Sequence, residues 1–107
     1  MLYKFRSKAG GDVIMLGPAG DELMRIIGKE PAPKGIIEPA DMPAAVQAIE
    51  RAIANDEARR AKAEADARAE GKPLPPREGV TLRQRAWPLA DLMKRAHADD
   101  VEIVWGV

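Results

Sequence analysis

The amino-acid sequence predicts a small α+β fold in which the N-terminal and C-terminal strands pair within one sheet and the helices cover one face. Both ends of the chain alternate in the period of two that is typical of strands. The region between them carries apolar stripes at the helical spacing of three and four residues. These patterns predict a two-layer β-β-α-α-α-β sandwich.

A hairpin is predicted at the N-terminus. In LYKFRS the rings of Tyr3 and Phe5 share one face, and the other face carries Leu2, Lys4 and Arg6. Residues 10–12, Gly-Gly-Asp, have turn chemistry. The apolar run VIML at residues 13–16 is most simply the return strand, with two of its side chains facing outward. A helical turn remains the alternative, because four residues do not define a period.

Two helices are predicted next. Asp21 is expected to cap a short helix over ELMRIIGK, which Gly28 would end at a positive φ angle. The proline-rich stretch at residues 30–41 is predicted to be a connection whose isoleucines enter the core. Asp41 is a candidate N-cap for the second helix. Its buried stripe consists of Met42, Val46, Ile49 and Ile53.

The apolar stripe of the second helix ends at Ile53. From Ala54 to Glu70 the only apolar residue is alanine, although helix propensity remains high. We therefore expect a single domain over residues 1–107, with a flexible extension rich in alanine and charge, and a linker, at residues 55–79.

The last helix is predicted to begin at a T-x-x-Q capping box formed by Thr81 and Gln84. Its inward stripe consists of Leu82, Ala86, Leu89, Met93 and Ala96. Trp87 falls about 140° from that stripe, and the interior Pro88 favours a bend. The favoured interpretation is that Trp87 covers a neighbouring helix, and the alternative is that it anchors a partner.

The closing segment VEIVWGV alternates and predicts the last strand. One face carries Val101, Ile103, Trp105 and Val107, and the other carries Glu102, Val104 and Gly106. We expect the helices to cover the face that holds the aromatic rings. Gly106 would then leave a flat spot on the outer face where another backbone could approach.

The segments MLYKFRSKA, GIIEPADMPAA, LRQRAWPL and VEIVWGV together resemble a bacterial domain-of-unknown-function family, the one numbered 1840. The resemblance covers residues 1 to about 54 and 79–107. It implies a single bacterial domain, and it transfers no catalytic residue.

Composition excludes several classes. Seventeen basic and seventeen acidic residues balance, so no global charge attracts nucleic acid or an anionic membrane. The longest run of large apolar residues, VIML, is far shorter than the roughly 20 residues of a membrane span. The N-terminus lacks the apolar segment of a signal peptide. With no cysteine in the chain, we expect a cytoplasmic protein without disulfides or thiolate metal sites.

Catalytic, cofactor and metal motifs are not indicated. GPAGDE lacks the ending of a phosphate-binding loop, and the only serine, Ser7, lies on a strand. His97 is the only histidine, and a zinc site usually needs more than one imidazole. The best local basic patch consists of Lys4, Arg6 and Lys8 on one strand face, with Arg83 and Arg85 in the last helix. Tyr3 and Phe5 point the opposite way, so nucleic-acid binding is disfavoured.

The leading hypothesis is a non-enzymatic interaction module that forms a homodimer or binds a protein partner. Its expected contact is the outer sheet face, with Leu2 and Val104 in it, Val104 near the centre, and Trp87 at most on the rim, because Trp87 lies in the helical layer. The alternative hypothesis is a small hydrolase or metal-dependent enzyme that uses His97 with nearby carboxylates.

Overall fold

The computed structural model describes residues 2–74 and 80–106. In this part of the chain four strands form one antiparallel sheet, in the order β2-β1-β4-β3. The strands are β1 Leu2–Ser7, β2 Gly10–Leu16, β3 Gly35–Ile37 and β4 Ile103–Trp105. The helices are α1 Gly17–Ile26, α2 Met42–Ala69 and α3 Leu82–Ala98, with a 3₁₀ turn at Pro39–Asp41.

The predicted α+β class is confirmed, and so is the pairing of the two terminal strands. β1 lies between β2 and β4, and Arg6 is opposite Val104. The inward faces of these strands carry Tyr3, Phe5 and Ile103, all with exposed fractions of 1% or less. The period-two pattern therefore predicted correctly which face of each of these strands packs against the helices.

The structure adds a strand that the sequence pattern did not reveal. β3 lies inside the proline-rich stretch that was predicted to be only a connection, and it pairs with β4. Ile37 is opposite Ile103 and is fully buried, whereas Ile36 is opposite Val104 and is exposed. The element order is consequently β-β-α-β-α-α-β. A strand of three residues is shorter than any window in which alternation can be recognised.

The hairpin is confirmed, but its turn lies elsewhere. VIML belongs to β2, which begins at Gly10, and Ser7 pairs with Gly10. The turn is therefore at Lys8 and Ala9, rather than at residues 10–12. The backbone N–H of Ala9 donates a 3.2 Å hydrogen bond to Ser7 Oγ. A serine hydroxyl that accepts two residues ahead can stabilise a turn without glycine at its centre.

Helix α1 begins earlier than predicted. It follows β2 directly at Gly17, so Asp21 lies inside the helix and does not cap it. Asp21 instead accepts a hydrogen bond from the Tyr3 hydroxyl. At the other end, Gly28 has φ +85° as predicted, and the N–H of Lys29 donates to the carbonyl of Met24 at 2.8 Å. This bond closes the helix at its C-terminus.

The core lies between the sheet and the three helices. The predicted stripes of α2 and α3 are buried throughout. Three aromatic rings of the sheet meet beneath the helices: Tyr3 stacks on Phe5 at 5.6 Å between ring centroids, and Trp105 meets the edge of Phe5 at 5.7 Å. The indole N–H of Trp105 donates to the Ala32 carbonyl at 3.0 Å, so this buried side chain has its polar atom satisfied.

Helix α2 continues without a break to Ala69, and Ile53 is its last buried residue. Asp41 occupies the N-cap position, but its side chain makes no capping bond. Beyond Ile53, an ion pair at 2.7 Å between Glu57 and Arg83 joins α2 to α3. Flexibility of residues 55–79 remains a prediction, and residues 75–79 of that linker lie outside the described part.

Candidate interaction surface around strand β2

Exposed large apolar side chains gather around one strand. Within residues 2–74 and 80–106 they are Leu2, Ile14, Leu16, Ile36, Val80 and Trp87. Ile14 and Leu16 lie on β2, and Leu2 is paired with Leu16 at the end of that strand. Val80 and Trp87 line clefts beside β2, so only Ile36 lies elsewhere. A group of this kind on a small protein is typical of an interaction surface.

On the outer face of the sheet the group forms a corner, which we call the β2 corner: Leu2, Ile14 and Leu16. Leu2 pairs with Leu16, and their exposed fractions are 62% and 68%. Ile14 is 59% exposed and pairs with Lys4, whose ammonium lies 3.6 Å from the carboxylate of Asp12. The expectation that two side chains of the VIML run face outward is therefore confirmed for Ile14 and Leu16.

Val104, the other predicted member of the outer surface, is only partly exposed. It lies between Arg6 and Ile36 in the sheet. Gly106 does not offer a flat spot to another chain, as was expected. Its φ is +74°, and a Cβ there would lie 2.1 Å from the carbonyl oxygen of Pro33. The backbone that approaches Gly106 is thus the protein's own, and the free apolar surface shifts toward the β2 corner.

Trp87 is 53% exposed, and the cleft beside it is lined by residues of β2 and of α3 itself, which gives no support to the interpretation that it covers a neighbouring helix. The ammonium of Lys94, on the same helix, lies 5.6 Å from the centroid of its ring. Pro88 follows inside α3, and the helix continues past it to Ala98. Helical spacing had placed Trp87 away from the core, and the proline does not carry the ring back into it.

Two shallow clefts connect Trp87 with the edge of β2. One, of about 300 Å³, is lined by Gly10, Gly11, Val13, Trp87, Pro88, Asp91, Leu92 and Arg95. The other, of about 250 Å³, is lined by residues 13–16, Ala19, Val80, Gln84, Arg85 and Pro88. Val13 and Pro88 line both clefts, so the two clefts are adjacent, and together we call them the edge groove. The groove joins the Trp-Pro pair to the strand that carries the β2 corner.

Charges along the edge groove are already balanced within the protein. Arg95 lies 3.1 Å from the carboxylate of Asp91. Arg85 lies 2.9 Å from Glu22 and donates to the Val80 carbonyl at 2.8 Å. These pairs leave no excess of one sign that would select a strongly acidic or basic ligand.

His97 is exposed at the end of α3. Its Nδ1 atom lies 3.0 Å from the carbonyl oxygen of Pro39, a distance at which a protonated Nδ1 donates a hydrogen bond. Asp99 and Asp100 follow it, and their backbone N–H groups donate to carbonyls of the last helical turn. In the part of the chain that the structure describes, no three His, Asp or Glu side chains are grouped as metal ligands.

The aromatic rings of β1 are inaccessible to nucleotide bases. Tyr3 and Phe5 have exposed fractions of 1% and 0%. Burial, followed by the hydrogen bond to Asp21, raises the pKa of Tyr3 to about 12. The phenol therefore stays neutral at physiological pH, and its role is structural.

The fold defines a small α+β domain with a four-stranded antiparallel sheet. The chain belongs to the family described as Domain of unknown function (DUF1840), whose model matches residues 1–105. Comparison with curated proteins and with solved structures gave no match. Among the described residues, none of the helices has the length and apolar character to span a bilayer.

Sequence reasoning identified Leu2 and Trp87 but did not connect them. It treated the sheet face and the helical layer as separate surfaces. The edge groove lies where the two layers meet, and it can be recognised only once β2 is known to be an edge strand. One signal was nevertheless present: GGDVIML contains neither lysine nor proline, the residues that commonly protect an edge.

Proposed function

We propose that this protein is a non-enzymatic interaction module that self-associates through the outer surface around β2. The observation that carries the proposal is the β2 corner, where three large aliphatic side chains, Leu2, Ile14 and Leu16, are each about 60% exposed or more. Removing such side chains from water stabilises an association by about 25 cal/mol for each Å² of apolar surface buried.

Charge favours a second copy over a strongly charged partner. Lys4, the cation nearest the corner, is offset by Asp12, and the chain as a whole has a formal net charge of zero. Two copies of this surface can approach without a like-charge penalty. Binding of nucleic acid gains no support, because Tyr3 and Phe5 are buried and the cations Arg83 and Arg85 face glutamates.

The alternative, an enzyme that uses His97, gains no support from the geometry. The Nδ1 atom of His97 contacts a backbone carbonyl rather than a carboxylate. A general base usually needs a group that orients it and a cavity that holds the substrate. The balance of the observations favours a contact surface over a catalytic one.

The proposal is tested by measuring the mass of the protein in solution over a wide concentration range, by sedimentation velocity and light scattering. We expect a dimer. Leu16→Lys should weaken the association at least tenfold, because a lysine inside an apolar contact loses part of its hydration. Ala65→Lys, at an exposed position of α2, is the matched control and should leave the association unchanged.

Val104→Lys locates the centre of the contact. Because Val104 is less exposed than Leu16, we expect Val104→Lys to have the smaller effect. A parent protein that remains monomeric at every accessible concentration would contradict self-association.

A further inference from the structure

We propose that the second copy binds by strand addition: its β2 lies antiparallel to this β2 across a two-fold axis that passes beside Val13 and Pro88. The two sheets then become one continuous sheet. This inference rests on the proposed self-association and specifies its geometry.

The two edges of the sheet differ in how they are protected. β3 has only three residues and is flanked by Pro33 and Pro39, and both features discourage strand pairing. β2 has seven residues, and Asp12 is its only charged one. Along this edge, backbone N–H and C=O groups that do not face β1 point away from the sheet. Among residues 2–74 and 80–106, β2 is therefore the edge strand that lacks this protection.

The residues of β2 are complementary to the same strand reversed. Val13 is the middle residue of Gly10–Leu16. An antiparallel pairing centred on it places Gly10 opposite Leu16 of the second copy, and Gly11 opposite Met15. Leu16 and Met15 then each face a glycine, whereas Ile14 faces Asp12 of the second copy and Val13 faces Val13, so the two ends of the pairing can approach without a clash.

The charges of α3 are complementary about the same axis. Pro88 and Val13 line both clefts of the edge groove, so an axis beside Val13 also passes Pro88. Arg85 and Asp91 lie three residues before and after Pro88, in opposite halves of the groove. Within one copy Arg85 pairs with Glu22 and Asp91 pairs with Arg95. A two-fold rotation brings Arg85 of each copy toward Asp91 of the other, so that these pairs extend into two equivalent networks of alternating charge across the axis.

One symmetric contact of this kind involves both groups of exposed apolar residues, the second more fully than the first. A strand added at β2 alternates its side chains between the groove, beside Trp87 and Pro88, and the outer face, where they lie beside Ile14 and Leu16 but leave Leu2, on β1, exposed. The helix that accompanies the added strand covers Trp87 and Val80. An isolated extended peptide would fill the groove but would bring no helix to cover these two side chains.

The sharpest test uses the absence of cysteine from the chain. Residues directly opposite in an antiparallel pair have Cα atoms about 4.5–5.5 Å apart, within the range that a disulfide can bridge. We expect Val13→Cys to form a covalent dimer rapidly under mild oxidation. Leu16→Cys should not, because the proposed pairing separates the two copies of that position by most of the strand length.

A charge exchange tests the helical part of the contact. Arg85→Glu and Asp91→Arg each place like charges across the axis, so each variant alone should dimerise at least tenfold more weakly than the parent. An equimolar mixture of the two should recover the dimer, because each ion pair then joins opposite charges again. Recovery in the mixture cannot come from variants that fail to fold, and circular dichroism of each variant checks this directly.

The outcomes separate this inference from the proposed function. If the parent dimerises but Leu2→Cys or Val104→Cys crosslinks while Val13→Cys does not, the sheets meet face to face: self-association holds and strand addition is wrong. If both charge variants dimerise as tightly as the parent, or their mixture stays monomeric, the helical contact is wrong. A monomeric parent contradicts both proposals, and the β2 edge would then be a binding site for an extended segment of a different protein.

Discussion

The hydroxyl of Tyr3 on β1 donates a 2.5 Å hydrogen bond to the Asp21 carboxylate on α1, and the Tyr3 ring lies against Gly20 one residue earlier. This contact joins the sheet to the first helix. The sheet side of the contact is buried, since Tyr3 is 1% exposed.

The titration of Tyr3 should show this contact directly. The phenol has a pKa of about 12 in the folded protein, against about 10 when unfolded, because burial and the bond to Asp21 favour its neutral form. The stability that this shift represents is fully present below pH 10 and is lost as the pH rises toward 12. Tyr3 is the only tyrosine, so absorbance at 295 nm reports it alone. A midpoint near 10 in the native protein would contradict the contact.

Gly20→Ala should destabilise the protein, although alanine normally favours a helix over glycine. A Cβ at this position would lie 2.1 Å from Cδ2 of the Tyr3 ring, so the ring or the helix must move. We expect a loss of about 1–3 kcal/mol in the free energy of unfolding, measured by urea denaturation. Gly11→Ala is the control: its Cβ meets nothing within 4 Å, and it should be close to neutral.

Ile49→Ala and Ile103→Ala should each reduce the free energy of unfolding by roughly 2–5 kcal/mol. Both side chains are fully buried, Ile49 on α2 and Ile103 on β4, so each truncation leaves a cavity. Ile14→Ala removes the same atoms from a residue that is 59% exposed, and its effect should be well below these values. Equal denaturation midpoints for Ile49→Ala and Ile14→Ala would mean that the inward faces are wrongly assigned.

Residues 56–78 should be the most mobile part of the chain, and deleting them should leave Tm nearly unchanged. No described residue of this stretch is buried, and helix propensity without an anchored face contributes little. The contact between Glu57 and Arg83 shows that this part of α2 lies beside the start of α3, so the shortened chain has little distance to span.

A matched pair of proline substitutions tests the same idea without a deletion. Ala65→Pro interrupts only the exposed part of α2, whereas Ala52→Pro interrupts the part packed against the core, where an interior proline costs about 3 kcal/mol or more. We expect a large loss of Tm for Ala52→Pro and a small one for Ala65→Pro. Strong amide protection throughout residues 56–69 in hydrogen exchange would contradict the prediction of mobility.

Most of the helical core could be predicted from local patterns. The capping box of α3 is present as expected, with the N–H of Gln84 donating to Thr81 Oγ1 at 3.1 Å and the N–H of Thr81 donating to Gln84 Oε1 at 2.9 Å. The predicted stripes of α2 and α3 are buried because spacing along a helix alone decides which side chains share a face. These features involve residues only three or four positions apart.

Features that depend on distant partners were predicted less well. Aspartate often caps helices, but the partner of Asp21 is the Tyr3 hydroxyl, eighteen positions away. Gly106 resembles a flat spot, but its neighbour is the Pro33 backbone. In both cases the residue type was informative about its chemistry, and the contact depended on how distant segments pack.

The sequence by itself determined which faces of β1, β4, α2 and α3 are apolar, because side-chain direction follows from the backbone period within one element. Only the tertiary structure decided the order of the strands, and with it that β2 lies at one edge of the sheet and Gly35–Ile37 at the other. Strand order is a property of hydrogen bonds between segments far apart in the chain, and no local period encodes it. The surface that joins Leu16 to Trp87 could therefore be recognised only once the strand order was known.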